Sequence, residues 1–298
     1  MPGLFKKRPS QNPAVCGGTN RTIDENAPKN ITSEIITCFD VRSKLPYDIN
    51  NNAADRLSYI AAFAAKCSFG TLVCLQKEQN FEKSTSASGF FVVKEDILTP
   101  LALLVKKHNI ALKNGFHSFT SGLPQNFGGD INILYESGEK ISISDNQTSV
   151  LSRPAAEDIC QVFEKAVSGE CAVLPGADSI SDILFEEKSP DGSFSHILFR
   201  TDGSTGVVIE DSRYQDQTSY HNEKPADIEK TQRILSLVSQ SSILAWAGLP
   251  EKTTKASSDK TLTFTFNDGS SIVVSNNTLL PPKLSAAFFN IQLEISTV

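Results

Sequence analysis

The sequence predicts an α+β fold built from two related repeats, each mainly antiparallel strands with packed helices. Three observations carry that expectation. "YESGEKISISDNQT" (135–148) and "FNDGSSIVVSNNTL" (266–279) are nearly the same text in one chain. A helical pattern precedes and another follows each of them, in the same order. Strand and helix patterns do not alternate strictly, which points away from a parallel βαβ sheet. The expected organisation is a disordered tail (1–32), a first unit (33–167), a linker (168–179) and a second unit (180–298).

Residues 1–32 mix Lys, Pro, Gly, Asn and Ser with few large apolar side chains, too few to offset the entropy of ordering. "SEIITCFDV" (33–41) is rich in β-branched and aromatic residues and reads as a strand. In 52–67, Ala53, Leu57, Ile60, Ala61, Ala64 and Cys67 recur at helical spacing, so a helix is expected there, capped by Asn51 or Asn52. "GTLVCLQ" (70–76) and "SGFFVVK" (88–94) read as strands. A helix follows, starting at Pro100 with Thr99 as cap and Leu101, Leu104, Val105 and His108 on one face. The hairpin 128–146 alternates Ile131, Ile133 and Tyr135 on one arm and Ile141 and Ile143 on the other, with Gly138 in the turn. A helix with Pro154 in its first turn closes the unit.

The second unit runs through strands at 181–187, 194–200 and 205–211, then a helix with Ile228, Ile234, Leu235 and Val238 inward. Its hairpin places Leu262, Phe264 and Phe266 where the first has Ile131, Ile133 and Tyr135. Gly269 answers Gly138, 131 positions on. "PPKLSAAFFNIQLEI" closes the unit as a helix.

Charge is uneven along the 298 residues. The first 32 carry five basic and two acidic residues, 33–167 carry 13 and 15, and 168–298 carry 10 and 17. An acidic second half repels a phosphate backbone, so nucleic acid is not the expected partner. No apolar run approaches the roughly 18 residues of a membrane span. The N-terminus has a basic cluster with no apolar stretch behind it, so a cytoplasmic protein is expected. The six cysteines (16, 38, 67, 74, 160, 171) show no CxxC spacing, and four lie in apolar segments, as reduced core thiols do.

Four histidines exist: 108, 117, 196 and 221. None has metal-ligand spacing, and no phosphate-loop, dinucleotide or GxSxG motif is present, so no cofactor or metal is expected. The segment 113–130 reads as an unusual loop, with three Phe, one His, two Asn, one Asp and four Gly. His117, Asp130 and Asp145 are the catalytic candidates, and Phe116, Asn126 and Asn146 the ligand-binding candidates. The competing reading makes Phe116 and Phe119 a hydrophobic plug and the Asn, Asp and Gly residues turn formers. His117 aligns with Pro250, so any site belongs to the first unit.

The layout resembles that of uncharacterised bacterial two-repeat α+β proteins. Those share a helix, W-x-G-[FL] or N-G-F, a Gly-turn hairpin and a closing helix. The matching residues are Asn114-Gly115-Phe116, Trp246-Ala247-Gly248-Leu249, Ser137-Gly138 and Asp268-Gly269. The resemblance covers 33–298 and implies a fold, with no established activity. The expected function is a non-catalytic intracellular binding or protein-interaction module with a protein or small-molecule partner. One alternative is a hydrolase-type enzyme with a polar site in 113–147. The other is a structural subunit that associates with itself.

Overall fold

The computed structural model describes residues 18–46, 57–79, 89–123, 127–214, 218–251, 258–278 and 282–297. In chain order the first elements are β1 (Thr19–Ile23), β2 (Ile36–Lys44), β3 (Leu57–Cys67), β4 (Gly70–Gln79), β5 (Phe91–Val93) and α1 (Leu98–Lys107). After a 3-10 turn at Ile110–Lys113 come β6 (Phe116–Thr120), β7 (Gly129–Tyr135), β8 (Lys140–Asp145) and α2 (Arg153–Val167). The remaining elements are β9 (Ile180–Lys188), β10 (Phe194–Thr201), β11 (Gly206–Arg213), β12 (Ser219–Ala226), α3 (Ile228–Ser241), β13 (Asp259–Phe266), β14 (Ser271–Ser275) and α4 (Pro282–Ser296). A 3-10 turn, Ile243–Trp246, also separates α3 from β13. The chain is α+β.

The strands form two sheets. One has eight strands in the order β1-β6-β8-β7-β2-β3-β4-β5, antiparallel throughout except for the short parallel pairing of β6 with β8. The other has six antiparallel strands in the order β12-β11-β10-β9-β13-β14. Register agrees as well as order. Phe39 and Val41 of β2 face Ile133 and Ile131 of β7. Ile183 and Phe185 of β9 face Phe264 and Leu262 of β13 in the same way.

The expected helix at 52–67 is corrected: its described part, Leu57–Cys67, is the strand β3, paired with β2 and β4 along its length. Ile60, Ala62 and Ala64 face one core, while Phe63, Ala65 and Cys67 face another. A strand buried on both faces reads as a continuous apolar run, and its alanines favour a helix locally. Ladder pairing on both edges overrode that propensity. Residues 113–130 are not one loop, because 116–120 form β6. Within the segment expected as a tail, Thr19–Ile23 forms an edge strand on β6. The helix α1 begins before Pro100, with the Asp96 carboxylate accepting from the N–H groups of Leu98 (3.0 Å) and Thr99 (3.2 Å). In α2, Ser152 caps the helix by accepting from the Ala155 N–H.

One face of the larger sheet packs Phe39, Val41, Ile131 and Ile133 against Leu101 and Val105 of α1 and Ile159 and Phe163 of α2. In the smaller sheet, Ile183, Phe185, Phe199 and Phe264 pack with Ile234 and Val238 of α3 and Phe288 and Ile291 of α4. That second core continues onto the other face of the larger sheet through Cys38, Phe63, Ala65, Cys67 and Leu72, and it includes the fully buried Trp246. The Ser68 N–H donates to the Ala247 carbonyl (2.7 Å) at this junction.

Glycine is required just after Trp246. Gly248 has φ +77°, and an added Cβ would lie 2.6 Å from Ser68 Oγ. Gly115 holds the same conformation in the first half, φ +78°, against Ala27 and Asp24. Asn109 and Ser242, which follow α1 and α3, share φ +52°. Each of these pairs is 133 positions apart.

Candidate functional site

The second core covers only part of the far face of the larger sheet. Beyond it, side chains of β6, β8, β7, β2, β3 and β4 line up in a row, because directly opposed residues on neighbouring strands share a face. The row runs His117, Ser144, Asp130, Arg42, Ala61 and Gln76. Thr22 of β1 extends it at the sheet edge. His117 Nδ1 lies 2.9 Å from Ser144 Oγ. Arg42 Nη2 donates to Asp130 Oδ2 at 2.9 Å, while Arg42 Nε is buried without a hydrogen-bond partner.

Flanking rows complete the surface. On the side nearer the second core, Asp40 opposes Asn132 and Phe63. Burial pushes the Asp40 carboxyl up to about 6; Arg42 pulls it down and the Asp130 charge adds to the rise. Burial also raises the Asp130 carboxyl, against the pull of Arg42. On the open side, Lys44 pairs with Glu78 at 2.9 Å and lies 5.1 Å over the Tyr59 ring. Phe119 projects there and is 63% exposed. The surface therefore offers two partly desolvated carboxylates, a half-exposed guanidinium and one exposed aromatic ring, Phe119.

The candidates from the sequence divide. His117 and Asp130 share the row but sit on either side of Ser144, and each already has a partner. Asp145 lies on the opposite face, buried, accepting from the Gln147 N–H (2.8 Å) and Thr148 Oγ1 (2.7 Å), so it shapes the turn after β8. Phe116 also faces away from the row, one residue out of phase with His117. Asn146 ties itself to Thr120, accepting from its N–H (2.7 Å) and donating to its carbonyl (2.8 Å). Asn126 lies outside the described residues. Of the suggested plug, Phe119 is exposed and plugs nothing.

Arg42, Asp40, Lys44, Tyr59 and Ser144 were missed. A signal existed for three of them: in "CFDVRSK", Asp40, Arg42 and Lys44 alternate with Phe39 and Val41, which puts three charges on one face of a strand. Tyr59 was hidden by the helix expectation.

The smaller sheet carries a polar row at the register-equivalent height: Ser275, Thr261, Glu186, His196, Asp211 and His221. Asp211 bridges His196 Nε2 (2.9 Å) and His221 Nδ1 (2.5 Å). Among the described residues, no group of three or more His, Cys, Asp and Glu is arranged to hold a metal ion. The described cysteines are free thiols, and burial pushes Cys38 and Cys160 up to about 12, which keeps both protonated and unreactive. No described helix is long and apolar enough to cross a membrane. Compared with protein-family models and with curated proteins, the chain matches none.

Proposed function

We propose that the protein is a non-catalytic binding module of the cytoplasm that engages a protein or small-molecule partner on the open part of its eight-stranded sheet. One observation carries this reading: a row of polar side chains, interrupted only by Ala61, that includes the half-exposed Arg42 guanidinium and lies beside the exposed Phe119 ring. A partner that accepts a hydrogen bond from the half-exposed Arg42 guanidinium and stacks on Phe119 would complete the surface. The free thiols suit a reducing compartment. We also infer that the two halves are related repeats. The shared strand order, the shared register and the left-handed residues 133 positions apart support that inference.

The test is a thermal-shift screen of the full chain with peptides, sugars, amino acids and nucleotides. A ligand at about 100 times its dissociation constant adds about 2.7 kcal/mol, a shift of several degrees. A shift seen in the parent and lost in Arg42→Ala supports the reading; a shift that Arg42→Ala retains places binding elsewhere. A second reading, a hydrolase, is favoured by the 2.9 Å approach of Ser144 Oγ to His117. Turnover of an activated ester that disappears in both Ser144→Ala and His117→Ala would replace the binding module with the enzyme.

A further inference from the structure

We propose that a cavity at the C-terminal end of α1, distinct from the open sheet face, binds a small organic carboxylate with a branched apolar tail. The cavity measures about 260 Å³ and lies between residues 29–31, the end of α1 with the turn after it, and Tyr135 of β7. That volume falls just below the roughly 300–1,000 Å³ of drug-sized sites, so the occupant is smaller than a nucleotide.

The chemistry of the lining sets the class. Lys29 and Lys106 enter from two separate stretches of chain. The Lys29 ammonium donates to the Asn114 carbonyl, which uses one of its three donors. Lys106 pairs with Glu34 at 2.8 Å, but Glu34 is 80% exposed, so an incoming carboxylate competes with a weak, solvated partner. Asn30 and Asn109 have no side-chain hydrogen-bond partner among the described residues. The Tyr135 phenol, pushed up to about 12 by burial and by Glu139, remains a protonated donor. The polar part of the cavity is thus rich in donors and carries two cations.

The remaining wall is apolar. Ile31 and Val105 are buried, while Leu112 is 64% exposed beside them. A branched hydrocarbon tail would cover Leu112 and gain from burial. An α-ammonium group would sit beside two lysines, so an amino acid fits worse than the corresponding acid without its amine. The basic character is local: the chain is acidic overall, at net −6.

Isothermal titration of the full chain with 4-methylpentanoate tests this. The acid is expected to bind saturably. Its amide and leucine are expected to bind at least about tenfold more weakly, the loss of one charged hydrogen bond. Lys29→Met and Lys106→Met are each expected to weaken the acid by a similar factor. No saturable binding of the acid, equal binding of the amide, or an unchanged Lys106→Met overturns the proposal. Inorganic phosphate binding as tightly as the acid removes the apolar half of the site. A short peptide ending in leucine that binds more tightly than the free acid would make the occupant a chain terminus and would also overturn it.

Discussion

Asp211 and His221 face each other across β11 and β12 with 2.5 Å between Oδ1 and Nδ1, and Asp211 turns its other oxygen to His196 on β10. The bond to Asp211 raises the His221 imidazole above its ordinary value, and the bond to His221 lowers Asp211. A histidine raised in the folded state adds stability that is complete below its unfolded value of about 6.5 and is lost as pH rises through the folded value. A depressed carboxylate adds stability that is present above about 3.9 and is lost as pH falls through its folded value. The pair therefore stabilises most in mild acid. Asp211→Asn should lower Tm more at pH 5.5 than at pH 8.5; a deficit equal at both pH values would rule out the protonated pair.

The Asp40 carboxyl is shifted in the direction opposite to Asp211. Its carboxyl is raised to about 6, chiefly by burial, so folding favours the protonated form. Stability should fall as pH rises from about 4 through 6. Asp40→Asn should therefore raise Tm at pH 8 and change it little at pH 4. Arg42→Met should push the Asp40 carboxyl higher and Asp130→Asn should bring it down, both followed by carboxyl NMR titration.

Gly248 and Gly269 both hold left-handed backbone, at φ +77° and +82°, but only Gly248 is crowded. Gly269→Ala should cost about 1 kcal/mol for the backbone conformation alone. Gly248→Ala must also displace Ser68 and should cost about 1–3 kcal/mol more. Urea denaturation of the two variants separates the terms, and equal losses would mean the junction yields freely.

Trp246 is fully buried in a core that also holds Cys38 and Cys67 of the larger sheet. Trp246→Ala should cost about 3–5 kcal/mol. It should also speed thiol labelling of Cys38 and Cys67, while Cys160, in the other core, stays protected. Labelling of all three at one increased rate would instead mean global unfolding.

Of the site, the sequence disclosed His117 and Asp130 but not their company. Arg42 and Ser144 are 88 and 14 positions from Asp130, and only strand pairing places them beside it. Asp145 looked equivalent to Asp130 in composition and context. One step of strand alternation sends it to the opposite face.

The alternation of the two hairpins, their glycine turns, the helices after them and the α+β class were determined by the sequence itself, because period-2 and period-3.6 patterns are local. Tertiary structure decided the rest. It made a strand of Leu57–Cys67, because an alanine-rich run has no local preference strong enough to resist ladder pairing on both edges and burial on both faces. It also left the two sheets separate, with Trp246 and the second core lying against part of the first sheet and leaving the polar row open. Packing between surfaces distant in sequence sets that division, and no local pattern encodes it.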